Sequence, residues 1–486
     1  MTDLLTRLDD WSDRLSPMVV KEIRQMVRGR EFNYSFGISL LAGLAVAFFG
    51  LADALTSAGT SGASVFSALI LCLALLGLIV VPLGGFSALR TERTDQTLDL
   101  ITQTALTSRR IVIGKLMTQG VKLIVLFAGL SPFIAMSFLL GGVDLLTILL
   151  SLIMLFMWSL WVCAACLFMS CASPSRAVSG LVFAGMVAVF IWILTSLAPL
   201  ILPLLGMPGM PSPGLSSMWW VLASSTAVCF VSMTNLVLLA ENRISLQIED
   251  RSTALRVGFF VQFMLILVSI VGPVAGAVGY PVVSAIWALG TYGGIQLAVT
   301  AIFTTTEDLA LSRRVSQKIQ GSLKWPWFAI FRPGGGRGAA WVLTQMLFFL
   351  AGAAWLTSAE PLDLRWFVAI CGYICFFTGV PTVVLRHVLK ARARASYLRA
   401  GVLLFFPIVA ISADVFQYFF TPGLIFDGTF SPYHILNPFR ALANWPQVES
   451  QGWYWRVIVM GLAGLVAYLE LFRMGRREDE NAGNRG

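Results

Sequence analysis

The sequence predicts an all-α, polytopic integral membrane protein of about twelve transmembrane helices, and three observations predict it. Of 486 residues, 57% are hydrophobic and only 12% charged, and the mean hydropathy is +0.81. The apolar residues come in long blocks rather than at amphipathic spacing. Blocks of about 20 apolar residues match the hydrocarbon thickness of a bilayer, where a helix satisfies its own backbone. The basic residues fall between alternate blocks, as an asymmetric, multi-pass topology requires.

Residues 1–33 precede the first apolar block and carry Arg7, Arg14, Lys21, Arg24, Arg28 and Arg30 with several acids. That composition predicts no cleaved leader. It predicts two amphipathic pieces instead. Leu4, Leu8, Trp11 and Leu15 recur at helical spacing, and a second helix starts at Ser16-Pro17, a good cap and first-turn pair. In the second piece Val19, Val20, Ile23, Met26 and Val27 oppose Lys21, Arg24 and Arg28. Such helices lie along the headgroup plane or pack on a cytoplasmic partner.

The spans follow at about 34–57, 65–89, 119–141, 145–170, 178–205, 218–240, 257–279, 281–304, 339–357, 365–385, 401–421 and 456–473. The fifth is too long for one crossing. Pro199 and Pro203 sit in its outer third ahead of GMPGMPSPG at 206–214, which predicts a helix that breaks near Ala198 and partly re-enters. The segment 422–455 is rich in aromatics and reads as an interfacial cap over the helices.

Charge placement orients these spans. With a cytoplasmic N-terminus, every one of the 34 Lys and Arg residues except Arg365, Arg440 and Arg456 falls inside. Lysine and arginine resist translocation, so both termini are expected in the cytoplasm. The net charge of +9 then needs no nucleic acid. Basic loops facing an anionic inner leaflet account for it.

Between the second and third spans lies SALRTERTDQTLDLITQTALTSRRIVIGKL, residues 87–116. A loop joining antiparallel neighbours usually needs far fewer residues. Residues 94–103 suit a short amphipathic helix with Leu98, Ile101 and Ala105 on one face. Thr107-Ser108 then caps a second helix that begins at Arg109 and runs into the third span. The expectation is a helix–break–helix projection on the cytoplasmic side, placed to touch a partner.

The pattern ER-x-x-x-T-L-[DE]-L-[LI], a following Thr and a basic-apolar stretch ending Gly-Lys resembles the first cytoplasmic loop of type-2 ATP-binding-cassette (ABC) exporter permeases. It is carried here by Glu92, Arg93, Thr97, Leu98, Asp99, Leu100, Ile101, Thr104, Leu106, Arg110, Gly114 and Lys115, with Arg109 alongside. Gln96 and Ala105 depart from it, standing where the family favours Gly and Pro. In that family the loop is the coupling helix, which docks in a groove of a separate ATPase subunit. The resemblance implies an interfacial elbow helix at 1–33 and a six-span permease domain at 34–250. It implies a chain that binds no cofactor itself, with ATP and magnesium on the partner and a homodimer or second permease as a further partner. Leu98, Ile101 and Leu106 would bury apolar contacts, while Glu92, Asp99, Arg109 and Arg110 would set register.

The resemblance fades after about residue 250. Residues 251–478 form a further six-span domain, followed by a polar tail at 479–486. The loop 305–338 occupies the matching topological place, and its Glu307 and Ser312-Arg313-Arg314-Val315 echo the Thr-Glu and Ser-Arg-Arg of the first. Either it is a second docking loop, carried by Glu307, Arg313 and Arg314, or it is the basic loop of an unrelated extension that touches lipid headgroups.

Other chemistry is thinly provided. No GxxxxGK[ST] phosphate cradle exists, because Gly114-Lys115 is followed by Leu116. This chain is therefore expected to be no ATPase. The acids within spans are Asp53, Asp414 and Glu470, each nearer an end than the middle, with Asp414 the candidate buried functional acid. Cys163-x-x-Cys166 and the pair Cys371 and Cys375 lie inside apolar spans and read as core thiols. His387 and His434 fall on opposite sides, so no metal set assembles. The reading is the permease subunit of an ABC exporter in a bacterial inner membrane, moving an unidentified substrate. The alternatives are a lipid carrier working without ATP, a membrane anchor for another complex, or a lipid-linked transferase using acids such as Asp144, Glu360, Asp363, Asp427 and Glu449.

Overall fold

The computed structural model describes residues 17–56, 61–86, 108–141, 143–172, 215–244, 252–275, 282–309, 330–358, 364–389, 395–420 and 432–483. The protein is an all-α polytopic membrane protein. Among the described residues eleven helices are long and apolar enough to cross a membrane. They coincide with every predicted span except the fifth, at 178–205, which lies outside the described residues together with the 94–103 helix and the first amphipathic piece. The chain divides into two compact units, Met1–Ser245 and Leu246–Gly486.

In the first unit α1 (Pro17–Arg28) turns at Gly29 into α2 (Arg30–Thr56). Helix α3 (Ser61–Leu75) continues through a π-helical stretch at Leu76–Val80, and α4 (Ser108–Leu139), α5 (Leu145–Ala172) and α6 (Leu215–Ile244) follow. Among the described residues two larger apolar clusters and a smaller one around Phe86, Val162 and Cys166 hold the unit. Phe66, Leu69 and Leu73 of α3 pack with Leu130 and Ile134 of α4. Leu123 and Leu126 of α4 pack with Ala164 and Leu167 of α5 and Val237 and Ala240 of α6. Apolar side chains also cover the outside: Phe48 is 67% exposed and Phe49 70%. A soluble surface rarely tolerates such a face, whereas hydrocarbon is the environment it suits.

In the second unit α7 (Thr253–Ala275) is followed by α8 (Val282–Ala288), a π-helical stretch Leu289–Gly293 and α9 (Gly294–Thr305). Then come α10 (Gly335–Thr357), α11 (Leu364–Leu389), α12 (Ala395–Phe420) and α15 (Tyr454–Gly483). Between the last two lie a 3₁₀ turn (Pro432–Leu436), α13 (Pro438–Ala443) and α14 (Trp445–Ser450). Small residues let the helices approach: a methyl on Gly372 of α11 would stand 3.2 Å from the Cα of Gly461 on α15. In a bilayer such close packing replaces the hydrophobic drive that water supplies elsewhere. The core around it joins Phe263, Leu297, Val342, Phe349, Phe367 and Leu471.

Residues 432–453 of the aromatic segment form a folded cap at one end of this unit, and 422–431 lie outside the described residues. Ala441, Trp445 and Val448 are buried against Ala369, Tyr373 and Phe377 of α11. The Tyr373 hydroxyl donates to the Ile435 carbonyl at 2.7 Å, and Arg365 pairs with Glu449 at 2.9 Å. Helix α15 runs on past its apolar part to Gly483, so residues 479–483 of the expected tail continue it.

Candidate functional site

In the first unit α4 is described from Ser108 and continues unbroken into the third span, while Thr107 of the predicted cap lies outside the described residues. Of the motif residues, Glu92, Arg93, Thr97, Leu98, Asp99, Leu100, Ile101, Thr104 and Leu106 lie outside the described residues. Arg109 and Arg110 are exposed on the first turn of α4, while Ile111 and Val112 behind them are buried. The exposed pair thus stands on a helix end anchored from beneath.

Gly114 and Lys115, the last two motif residues, are buried. Lys115 is 4% exposed, and its Nζ lies 3.0 Å from Glu22 Oε1 on α1. The second Glu22 oxygen accepts from the Thr118 hydroxyl at 3.0 Å. One carboxylate on the amphipathic helix therefore holds two side chains a turn apart on α4. Met26, one turn further along α1, is buried as well, while Lys21, Arg24 and Arg28 face outward. Val27, expected on the apolar face, is exposed. A shielded, hydrogen-bonded ion pair fixes orientation more firmly than the apolar stripe alone, because separating it leaves a charge without its counter-charge.

The second unit gathers charge at the end opposite its cap. Arg256 of α7 is fully buried. Its Nη1 donates to the carbonyls of Ile330 at 3.0 Å and Arg332 at 2.5 Å. Its Nη2 meets Glu307 Oε2 at 2.5 Å and the Gly334 carbonyl at 2.9 Å. Glu307 also accepts from the Ser252 hydroxyl and from the Gly334 amide, the latter at 3.0 Å. Gly334 has φ +125°, a left-handed conformation that side chains other than glycine's rarely adopt, and this turns both its amide and its carbonyl into the network. Arg386 of α11 donates to the carbonyls of Thr305 and Glu307. Arg399 of α12 donates to the Thr306 hydroxyl at 3.1 Å and stacks over Phe303. The planar guanidinium fork suits this use, binding several backbone oxygens and one carboxylate together.

This network engages Glu307 within its own unit. Its carboxylate turns to Arg256, Ser252 and Gly334. Arg313 and Arg314, the other residues of the candidate second loop, lie outside the described residues. Asp414 belongs to α12, in a stretch whose side chains are also outside them. Among the described residues no three His, Cys, Asp or Glu side chains come together. Cys163 and Cys166 are buried among apolar neighbours of the first unit, and Cys371 and Cys375 among those of the second.

Glu22, Thr118, Ser252, Arg256 and Arg386 carry these clusters and escaped the sequence reading. Glu22 was visible as an acid among the bases of an amphipathic helix. In the sequence Arg256 is one more basic residue near a span end. No family model, no curated protein and no solved structure matches the chain.

Proposed function

We propose that the chain is the membrane-spanning permease of an ABC exporter in a bacterial inner membrane, with both termini cytoplasmic. A separate ATPase subunit docks on residues 90–118, binds ATP and magnesium, and moves this loop when it closes. The chain itself carries out no hydrolysis. It passes the movement to helices that open a pathway for the substrate.

The observation that supports the reading best is the joint between α1 and α4. The loop leads straight into α4, and the Lys115–Glu22 pair fastens α4 to the amphipathic helix in the elbow position. A push on the loop is delivered to both helices at once, as a rigid lever requires. Exposed Arg109 and Arg110 stand at the base of that lever, free of the fold behind them.

Charge reversal at Glu92 and Asp99 tests the docking. Glu92→Lys with Asp99→Lys places like charges against a surface fitted to acids, at a cost of about 3 kcal/mol or roughly 100-fold in affinity. The chain is expected to insert at the wild-type level and to lose a co-purifying ATPase. Wild-type recovery of that subunit would remove the docking role.

A further inference from the structure

Helices α9 and α10 run antiparallel in the second unit. A methyl on Gly338 would strike the Thr304 carbonyl, and one on Gly293 would lie 2.8 Å from the Phe349 ring. These two contacts fix the register between them. They set Gln345 of α10 level with Gln296 and Leu297 of α9, on the stripe of α10 that runs from Gly338 to Phe349.

Both glutamines sit at mid-span. Gln345 is the eleventh residue of the 23 in Gly335–Thr357, and Gln296 the twelfth of the 21 in Ala285–Thr305. Both are buried, Gln345 completely. Neither the amide nitrogen nor the oxygen of Gln345 finds a hydrogen-bond partner among the described residues, and the Gln296 nitrogen finds none. The Trp341 indole nitrogen, one turn from Gln345 along α10, is in the same condition, although its ring packs on Phe260 of α7 and on Phe331. An amide left bare at this depth is among the costlier arrangements a membrane helix can contain, and buried polar groups are therefore nearly always satisfied.

The surrounding residues extend the polar character in one direction. Gln296, Thr300 and Thr304 recur every fourth residue along α9 and are all buried. The two threonine hydroxyls donate to carbonyls of their own helix, which leaves their oxygens able to accept. This stripe descends from mid-span towards Glu307 and the arginine network. Neither helix offers a charge near mid-span: α9 has no charged residue, and α10 has only Arg337 in its first turn.

We propose that α9 and α10 enclose a binding site for a small neutral hydrogen-bonding ligand at the membrane midplane, lined by Gln296 and Gln345 and occupied by water at rest, with Trp341 one turn away along α10 as its aromatic reporter. The unpaired groups of the two glutamines comprise two amide nitrogens and one amide oxygen, so the ligand must offer more acceptors than donors to this side. Water bridging donors to an amide oxygen meets that demand, and buried waters characteristically make about three such bonds. An ion is disfavoured because the two helices provide nothing of opposite charge at that level. The competing arrangement is a dry one, in which the two glutamine amides bond each other across the helices.

Radiolytic labelling of the full-length protein in nanodiscs prepared with ¹⁸O water separates the two. Oxygen incorporation is measured at Trp341, and at Phe349 and Phe367 of the adjoining core, each divided by its rate in the denatured chain. A hydrated site predicts normalised labelling at Trp341 several-fold above that of the two phenylalanines. Gln345→Leu with Gln296→Leu is expected to bring Trp341 down to their level. Equal protection of all three aromatics in the wild-type protein would overturn the proposal, whether or not the double variant folds. Label at Trp341 that survives the double variant would overturn the assignment of the glutamines.

Discussion

Arg256→Met is expected to cost the second unit about 3–5 kcal/mol, the loss typical of removing one partner from a buried ion pair. The side chain is fully buried and anchors three backbone carbonyls besides Glu307. Its removal leaves a largely buried carboxylate facing Ser252 and the Gly334 amide without its ion-pair partner, with Arg386 as the cation still nearby. It also releases the approach to α10, since Ile330, Arg332 and Gly334 all depend on the same guanidinium. For a unit of this size the apparent melting temperature should fall by roughly 10 °C. Arg256→Met combined with Glu307→Met should recover part of that loss, because the pair together is less costly to replace than either member alone. Thermal melting in nanodiscs across the four-member cycle checks both statements. Simple additivity would show that the two charges do not act as a pair.

The second large effect is expected at the joint in the first unit. Lys115→Leu strips Glu22 of its counter-charge and leaves it only the Thr118 hydroxyl. The loss is about 3 kcal/mol, at the lower end for buried pairs because Glu22 keeps some exposure. What it weakens is the attachment of α1 rather than the whole bundle, since α4 remains packed on α5 and α6. Arg24 and Arg28 are exposed on α1 and offer trypsin its sites once the helix lifts. If cleavage follows the opened population, it should accelerate on the order of 100-fold. The exchange Lys115→Glu with Glu22→Lys should restore much of the protection, while Arg109→Ala should leave it unchanged. Unaltered cleavage in Lys115→Leu would mean that apolar packing alone holds α1.

The helices were legible in the sequence because their cause is local. Twenty consecutive apolar residues dictate a spanning helix whatever they pack against, and α4 runs from Arg109 into the third span as its continuous apolar pattern predicts. The cap of aromatics over α11 was legible for a related reason, as Trp and Tyr gather where one end of a ring is apolar and the other wet. Pairings were not legible. Glu22 and Lys115 stand 93 positions apart, and each resembles an ordinary interfacial charge until the fold brings them together. Arg256 differs from other basic loop residues only in being swallowed by its unit, which no periodicity announces. Gln296 and Gln345 are single polar residues in apolar runs, and their common depth emerges only from the register of two helices. The fold thus turns the Gly-Lys end of the loop motif inward, leaving Arg109 and Arg110 as its described outward-facing residues.

The central claim is that the loop 90–118 meets a nucleotide-driven partner. The most direct measurement places a photo-crosslinking amino acid at Leu98 in the full-length chain, in native membranes, and identifies what it captures by mass spectrometry. The account predicts a dominant adduct with a soluble subunit that carries a phosphate-binding GxxxxGK[ST] loop, diminished when Glu92 and Asp99 are reversed. Capture of lipid or of unrelated proteins, with no nucleotide-binding subunit among the adducts, would contradict it.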